Sequence, residues 1–292
     1  MLNIRILSSN WIRYIDKNRK MSKNTIATYS TVIGRFVEYC ESQDFTTINQ
    51  LNVPFLHEYI AHLNDEGYKA NTINLNIKGI KSFFNYLEEV EVIQKNIAKH
   101  IKIASTSKKV VKALTVEEAK QLLEESKKNL RDSTLAHLLL YTGLRIDEAN
   151  NVKYEDINGD LLTIQSGKGD KQRIVQLPQS LLKIIEEYTQ YKMKNGINRS
   201  EYLFVNLKGD KITKLSLQNT MKSFYKKIGK DEFTTHNTRS SFASLLATEG
   251  VDIHSIAEIL GHSSINTTKG YLNVRQETLA KAVNSNPLVK EI

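Results

Sequence analysis

The eight residues Tyr141-Thr142-Gly143-Leu144-Arg145-Ile146-Asp147-Glu148 end one helix and set a charged pair beyond it. The helical pattern arriving there opens at the capping box Thr115-Val116-Glu117-Glu118, passes Leu122 and Leu123, and continues from Leu135 to Tyr141. Gly143 stops it, because glycine weakens a helix interior and suits a helix end. Arg145 follows the break and Glu148 lies one turn further on, where its carboxylate can orient the guanidinium. Downstream, the β-type stretches Leu161 to Gln165 and Arg173 to Leu177 flank Ser166-Gly167-Lys168-Gly169-Asp170-Lys171, which predicts a hairpin with a basic tip. Helices are predicted again at Pro178 to Lys192, near Leu215 to Ile228, at Asn237 to Thr248 and at Ile253 to Leu260, with a short second hairpin around Tyr202 to Ile212.

Upstream of that region the pattern is also helical. With 3 prolines and 13 glycines in 292 residues, long stretches run uninterrupted, so the fold is predicted to be mainly α. Ser22 caps a helix whose inner stripe is Ile26, Tyr29, Ile33, Phe36, Val37 and Cys40, with Asn24, Thr28, Thr31 and Arg35 opposite. Pro54 opens a second helix through Leu56, Tyr59, Ile60 and Leu63, and Gly67 closes it. A third runs from about Ala70 to Val90, with Ile73, Ile77, Ile80, Phe84 and Leu87 inward and Asn74, Lys78, Lys81 and Asn85 outward. The polar face of this third helix, amide and amine without carboxylate, suits DNA phosphates and base edges, or it is simply solvated. Between Ile101 and Leu114 the periodicity lapses and Lys108, Lys109 and Lys112 gather, which marks a linker able to touch DNA backbone. The predicted organisation is a helical domain at 1–104, a linker at 105–114 and a mostly α domain with a small β-hairpin at 115–292.

The charge balance limits the partners. Forty-one basic residues against 32 acidic give a formal charge of +9. There are 13 basic and 10 acidic residues before residue 105, and 28 and 22 from there on, so both halves are basic and both can meet one polyanion. A basic surface that serves solubility alone gives the same balance. The single cysteine, Cys40, excludes an internal disulfide, lies on an apolar stripe, and fits a cytoplasmic protein. No apolar run approaches the ~18 residues of a membrane span, and residues 1–7 lack the apolar core of a signal peptide. Neither a phosphate-binding loop of the G-x-x-x-x-G-K-[ST] type nor a Cys/His cluster at zinc spacing occurs, so neither nucleotide cofactor nor metal is expected.

Taken singly, an arginine, a histidine or one of 13 tyrosines has an ordinary packing role, but here the order and spacing carry information. After Arg145 and the Lys168 hairpin come His236-Asn237-Thr238-Arg239, then Leu260-Gly261-His262-Ser263-Ser264, and nine residues after His262 stands Tyr271. This series of T-G-L-R-I-x-E, G-K-G, H-x-x-R, L-G-H-S-S and a Tyr after T-T-x-x resembles the tyrosine recombinases, also called the lambda-integrase or phage integrase family. The helical domain before it is similar to that family's SAM-like core-binding domain.

The resemblance implies a division of labour. Arg145 and Arg239 would clamp the non-bridging oxygens of a scissile phosphate, His262 would add a donor, and Glu148 would support them. His236 would take the proton of the Tyr271 phenol, and Lys168 would protonate the departing 5′ oxygen. Lys171, on the same loop, competes for that last role, and plain backbone binding is the alternative for either lysine. Tyr271 would then form a 3′-phosphotyrosyl bond without ATP or a metal ion. Ser240 departs from the pattern, standing where many members have a second histidine, and Asn150 and Asn151 stand where apolar residues are common. The chain begins almost directly with core-binding helices, so it resembles compact Xer-like, plasmid or transposon enzymes rather than integrases with an arm-binding domain. The resemblance further implies double-stranded DNA sites, a homotetramer on two of them, a Holliday junction, and accessory DNA-bending proteins or a recombinase partner. Gln276 to Ile292 either docks into a neighbouring subunit or frays. Three other readings remain: a type IB topoisomerase-like enzyme, a DNA-binding protein without cleavage activity, and a metal-dependent nuclease.

Overall fold

The computed structural model describes residues 2–18, 21–104, 112–165 and 172–261. The chain divides into two compact units, Met1–Lys108 and Lys109–Ile292. The expected linker lies mostly outside the described residues, as do Lys108 and Lys109.

The first unit is a helical bundle of α1 (Ile4–Asn18), α2 (Lys23–Ser42), α3 (Val53–Asp65) and α4 (Ala70–Glu89). The sequence reading did not separate α1, although Ile4, Leu7, Trp11 and Ile15 make one buried stripe along it. Trp11 carries that helix into the core, with ring centroids 5.7 Å from Tyr29 and 5.6 Å from Phe83. The predicted cap at Ser22 forms, accepting from the Thr25 N–H, and Pro54 stands in the first turn of α3 as expected, with Asn52 capping it by accepting from the Phe55 N–H. Cys40 is fully buried, and burial pushes its thiol up to about 12, leaving it protonated and inert.

The second unit is built around α6 (Leu130–Thr142), which is buried on nearly every side, from Ser133 through Leu140. Against it pack α5 (Val116–Ser126), α8 (Gln179–Lys194), α9 (Lys214–Lys227) and α10 (Thr235–Thr248). The capping box at Thr115 and Glu118 forms as read. A short helix α7 (Ile146–Asn151) follows α6, and α11 (Ile253–Leu260) packs on α10. The hairpin is the larger part of a three-stranded antiparallel sheet in which β1 (Ile157–Asn158) adds to β2 (Leu161–Ile164) and β3 (Arg173–Gln176) in the order β1-β2-β3.

The short second hairpin forms around the antiparallel bridge of Val205 with Lys211, flanked by the Asn206 N–H to the Asp210 carbonyl at 2.8 Å and the Ile212 N–H to the Phe204 carbonyl at 3.2 Å, while Tyr202 bridges Lys153. The start of that segment is held by Lys192 of α8, a fully buried amine that donates to the Leu203 carbonyl at 2.7 Å and lies 4.6 Å from the Tyr154 ring centroid. Burial pulls this ammonium down to about 8. Asn74 does not point outward from α4. It is buried, and its amide exchanges two 2.9 Å hydrogen bonds with the backbone of Ala104, because the chain leaving the bundle returns over that flank. Among the described residues no helix is long and apolar enough to cross a membrane.

Candidate active site

The site begins where α6 stops. Gly143 takes up the left-handed conformation, φ 64°, and a Cβ there would sit 2.4 Å from the Phe242 ring and 2.8 Å from Leu260. A glycine therefore lets α10 and α11 close on this corner. Leu144 is buried just beyond it, and the chain turns Arg145 outward as the N-cap of α7.

Glu148 is the centre of the arrangement. Its carboxylate accepts from the Arg145 backbone N–H and from the Arg145 guanidinium, both at 2.8 Å, as the spacing of three residues predicted. It also accepts a two-pronged bond from Arg173, at 2.9 Å to Oε1 and 2.7 Å to Oε2. Arg239 approaches within 3.8 Å. Burial alone would raise the Glu148 carboxyl. The Arg173 fork, the Arg145 N–H and the Arg145 guanidinium outweigh it and hold the group at about 2.

Arg239 and His236 share the first half of α10, three residues apart and therefore on one face. Arg239 is buried, and its guanidinium donates to the Gly143 carbonyl at 2.7 Å and to the Leu260 carbonyl, which ties α10 to the ends of α6 and α11. His236 remains exposed at its surface. Partial burial, followed by the positive charges of Arg239 and Arg145, pulls its imidazole below the usual histidine range and keeps it neutral at physiological pH. Ser240 donates to the His236 carbonyl, so the residue replacing the second histidine serves the helix backbone.

Among the described residues three guanidiniums surround one carboxylate, a local excess of positive charge, and Arg145, whose side chain is 48% exposed, presents it to solvent. Beside it stands a neutral imidazole able to accept a proton. An anion-binding centre with an adjacent base is what phosphoryl transfer requires. Arg145, Glu148, His236 and Arg239 are thus brought together. Lys168, Lys171, His262 and Tyr271 lie outside the described residues.

The sequence reading missed Arg173. A signal existed, since Arg173 and Val175 share a sheet face by the period of two, and Val175 is a core residue. An arginine on the inward face of a strand needs a buried acceptor.

In the first unit, Asn24, Thr28 and Thr31 are exposed along α2, with the Thr28 and Thr31 hydroxyls donating back to the carbonyls of Asn24 and Ala27. Arg35 is half-buried, its guanidinium donating to Asn76 at 3.2 Å and lying 4.7 Å from the Tyr68 ring centroid. Lys78 is exposed and Lys81 half-buried on α4.

The chain is 33% identical to the tyrosine recombinase XerA of Thermococcus kodakarensis over 285 residues, spanning 96% of this chain and 94% of that protein. Among solved structures, the XerH site-specific recombinase bound to difH substrate in a pre-cleavage complex superposes with a TM-score of 0.73 at 25% identity, over 95% of this chain and 84% of that one. A lambda integrase tetramer bound to a Holliday junction shares the fold, with a TM-score of 0.74 at 14% identity over 92% and 77% of the two chains. Residues 9–91 match the phage integrase N-terminal SAM-like domain and residues 112–278 match the phage integrase family, so the chain belongs to the phage integrase family.

Proposed function

We propose that this chain is a site-specific DNA recombinase whose nucleophile is Tyr271 and whose phosphate-binding centre is the Arg145, His236, Arg239 cluster. The observation that carries the reading is the gathering of two family arginines about Glu148, whose side chain is 11% exposed, with a neutral histidine beside those arginines. In the proposed reaction the scissile phosphate lies on Arg145 and Arg239, with His262 as a further donor. As the Tyr271 oxygen bonds to phosphorus, its proton passes to His236, which being neutral can take it. The bond from phosphorus to the 5′ oxygen breaks, and Lys168, with Lys171 as its rival, supplies the proton that makes a free 5′ hydroxyl. The phosphodiester is conserved as a 3′-phosphotyrosyl bond, so attack by a 5′ hydroxyl from a second duplex reverses the step and exchanges strands. Each arginine donor aimed at the phosphorane is worth about 3 kcal/mol of barrier.

The same reading makes the helical domain at 1–104 a DNA-binding unit, with Asn24, Thr28, Thr31, Arg35, Lys78 and Lys81 toward the DNA backbone. Lys108 and Lys109 of the 105–114 linker also contact phosphates, and 115–292 forms the catalytic domain. As with the lambda integrase tetramer on its junction, four copies would act on two sites through a Holliday junction, in integration, excision or resolution of DNA in the cytoplasm.

Nicked suicide duplexes drawn from a random-sequence pool test this directly. Wild type should form a covalent adduct with a subset of the pool without added metal or ATP, and Tyr271→Phe should bind the same subset without forming one. An adduct that survives in Tyr271→Phe, or none from wild type, overturns the assignment. Strand-exchange products, rather than relaxed circles alone, separate recombination from topoisomerase action.

A further inference from the structure

We infer that Arg173 is a positioning residue for strand cleavage: it fixes Glu148, and through it Arg145, against the end of α11. The inference rests on the reading of the cluster given above.

Arg173 is the first residue of β3, paired in register with Ile164 of β2, and its side chain is only 12% exposed. Two of its nitrogens hold both oxygens of Glu148, and its Nε donates to the Ile259 carbonyl at 3.1 Å in the last turn of α11. Each Glu148 oxygen then receives one bond from Arg145 and one from Arg173, four donors on four acceptor sites. A glutamate bonded only to the half-exposed Arg145 could swing with it. Held by a second, mostly covered fork, it becomes a fixed stop for the Arg145 guanidinium.

The other end of the contact is equally specific. Gly261 follows α11 with φ 63°, and a Cβ there would stand 2.9 Å from Arg173 Cδ, so the α11 corner closes directly on the arginine stem. His262 is the next residue in sequence. Arg239 reaches the same corner through the Leu260 carbonyl, and it lies 3.8 Å from Glu148. One side chain thus joins the strand that follows the Lys168 segment, the helix that carries Glu148, and the turn that precedes His262. None of these contacts gives Arg173 a place on the phosphate. Its effect passes through Glu148 and the α11 carbonyl.

The test uses the full chain and a nicked duplex already trapped by wild type, and it reads the single-turnover rate constant and the amplitude of adduct formation separately. Arg173→Met should lower the rate constant by about 100-fold, the usual consequence of a displacement near 1 Å in a reacting group. Arg173→Lys keeps the charge but not the fork, and should lose about tenfold. DNA affinity should change by less than about threefold in both, because uniform binding is untouched. If Arg173→Met does not fold, Arg173→Lys carries the test alone. A rate constant within about threefold of wild type in Arg173→Lys, or a fall in amplitude at an unchanged rate constant, would overturn the inference and assign Arg173 to folding alone. Wild type remains the control for the broader reading: its Tyr271-dependent adduct stands or falls independently of the Arg173 variants.

Discussion

Exchanging Glu148 for glutamine removes the charge at the centre of the cluster with almost no change in shape. The wild-type carboxyl is held at about 2 in the folded protein. An unfolded glutamate titrates near about 4.3, so the depression of roughly two units corresponds to about 3 kcal/mol of stabilisation at neutral pH. Because the folded value lies below the unfolded one, this contribution is complete above ~4.3 and is lost as the pH falls toward 2. Glutamine also takes from Arg173, whose side chain is 12% exposed, the charge that its fork holds. Breaking a buried pair in this way costs about 3–5 kcal/mol. Glu148→Gln should therefore be less stable than wild type by on the order of 3 kcal/mol near pH 7, and the gap should shrink by roughly half near pH 3. Urea unfolding followed by far-UV circular dichroism measures the gap. Trp11, the single tryptophan, lies in the first unit, so its fluorescence reports separately on the part of the chain that lacks Glu148. A loss below about 1 kcal/mol near pH 7, the size of a surface pair, or a gap that does not change with pH, would refute the charge argument.

Two further predictions come from the same corner. Because burial and then Arg239 and Arg145 depress His236, the cleavage rate should hold as the pH drops through the ordinary histidine value of ~6.5 and decline only below it. Single-turnover adduct formation across that range checks this, and an acid limb centred at or above ~6.5 contradicts it. Gly143→Ala places a methyl 2.4 Å from Phe242 and 2.8 Å from Leu260 on a left-handed backbone. Crowding of about 1–3 kcal/mol plus the backbone cost of about 1 kcal/mol should lower the thermal midpoint by several degrees, and an unchanged midpoint counts against the close packing of α6, α10 and α11.

Much of this architecture was legible because it is local. The caps at Ser22 and Thr115, the stop at Gly143 and the Arg145 to Glu148 spacing each depend on residues three or four apart, and each formed as read. The stripe Ile4, Leu7, Trp11, Ile15 was equally local, and α1 could have been read from it. What could not be read depends on where distant chain returns. Asn74 satisfied the helical period for an outward residue, yet the backbone of Ala104 bonds to it, and an amide facing returning backbone becomes a link instead of a contact surface. In the segment from Tyr202 to Ile212 the hairpin closes over Val205 and Lys211, but its first residues go elsewhere, Tyr202 to Lys153 and the Leu203 carbonyl to Lys192 of α8.

The candidate site divides along the same line. Motif order brought Arg145, Glu148, His236 and Arg239 to attention, but motif order says nothing of what keeps them in register. Glu148 and Arg173 are 25 residues apart, and Arg239 and the Gly143 carbonyl are 96 apart. Desolvation of a mostly covered carboxylate opposes its charge, and one half-exposed arginine offsets that only in part; Arg173 supplies the second cation that holds Glu148 ionised. The strand period narrows the search to inward positions, and in β3 the residue sharing a face with Val175 is Arg173. The physical demand of one residue thus points to the other, which motif spacing alone does not do.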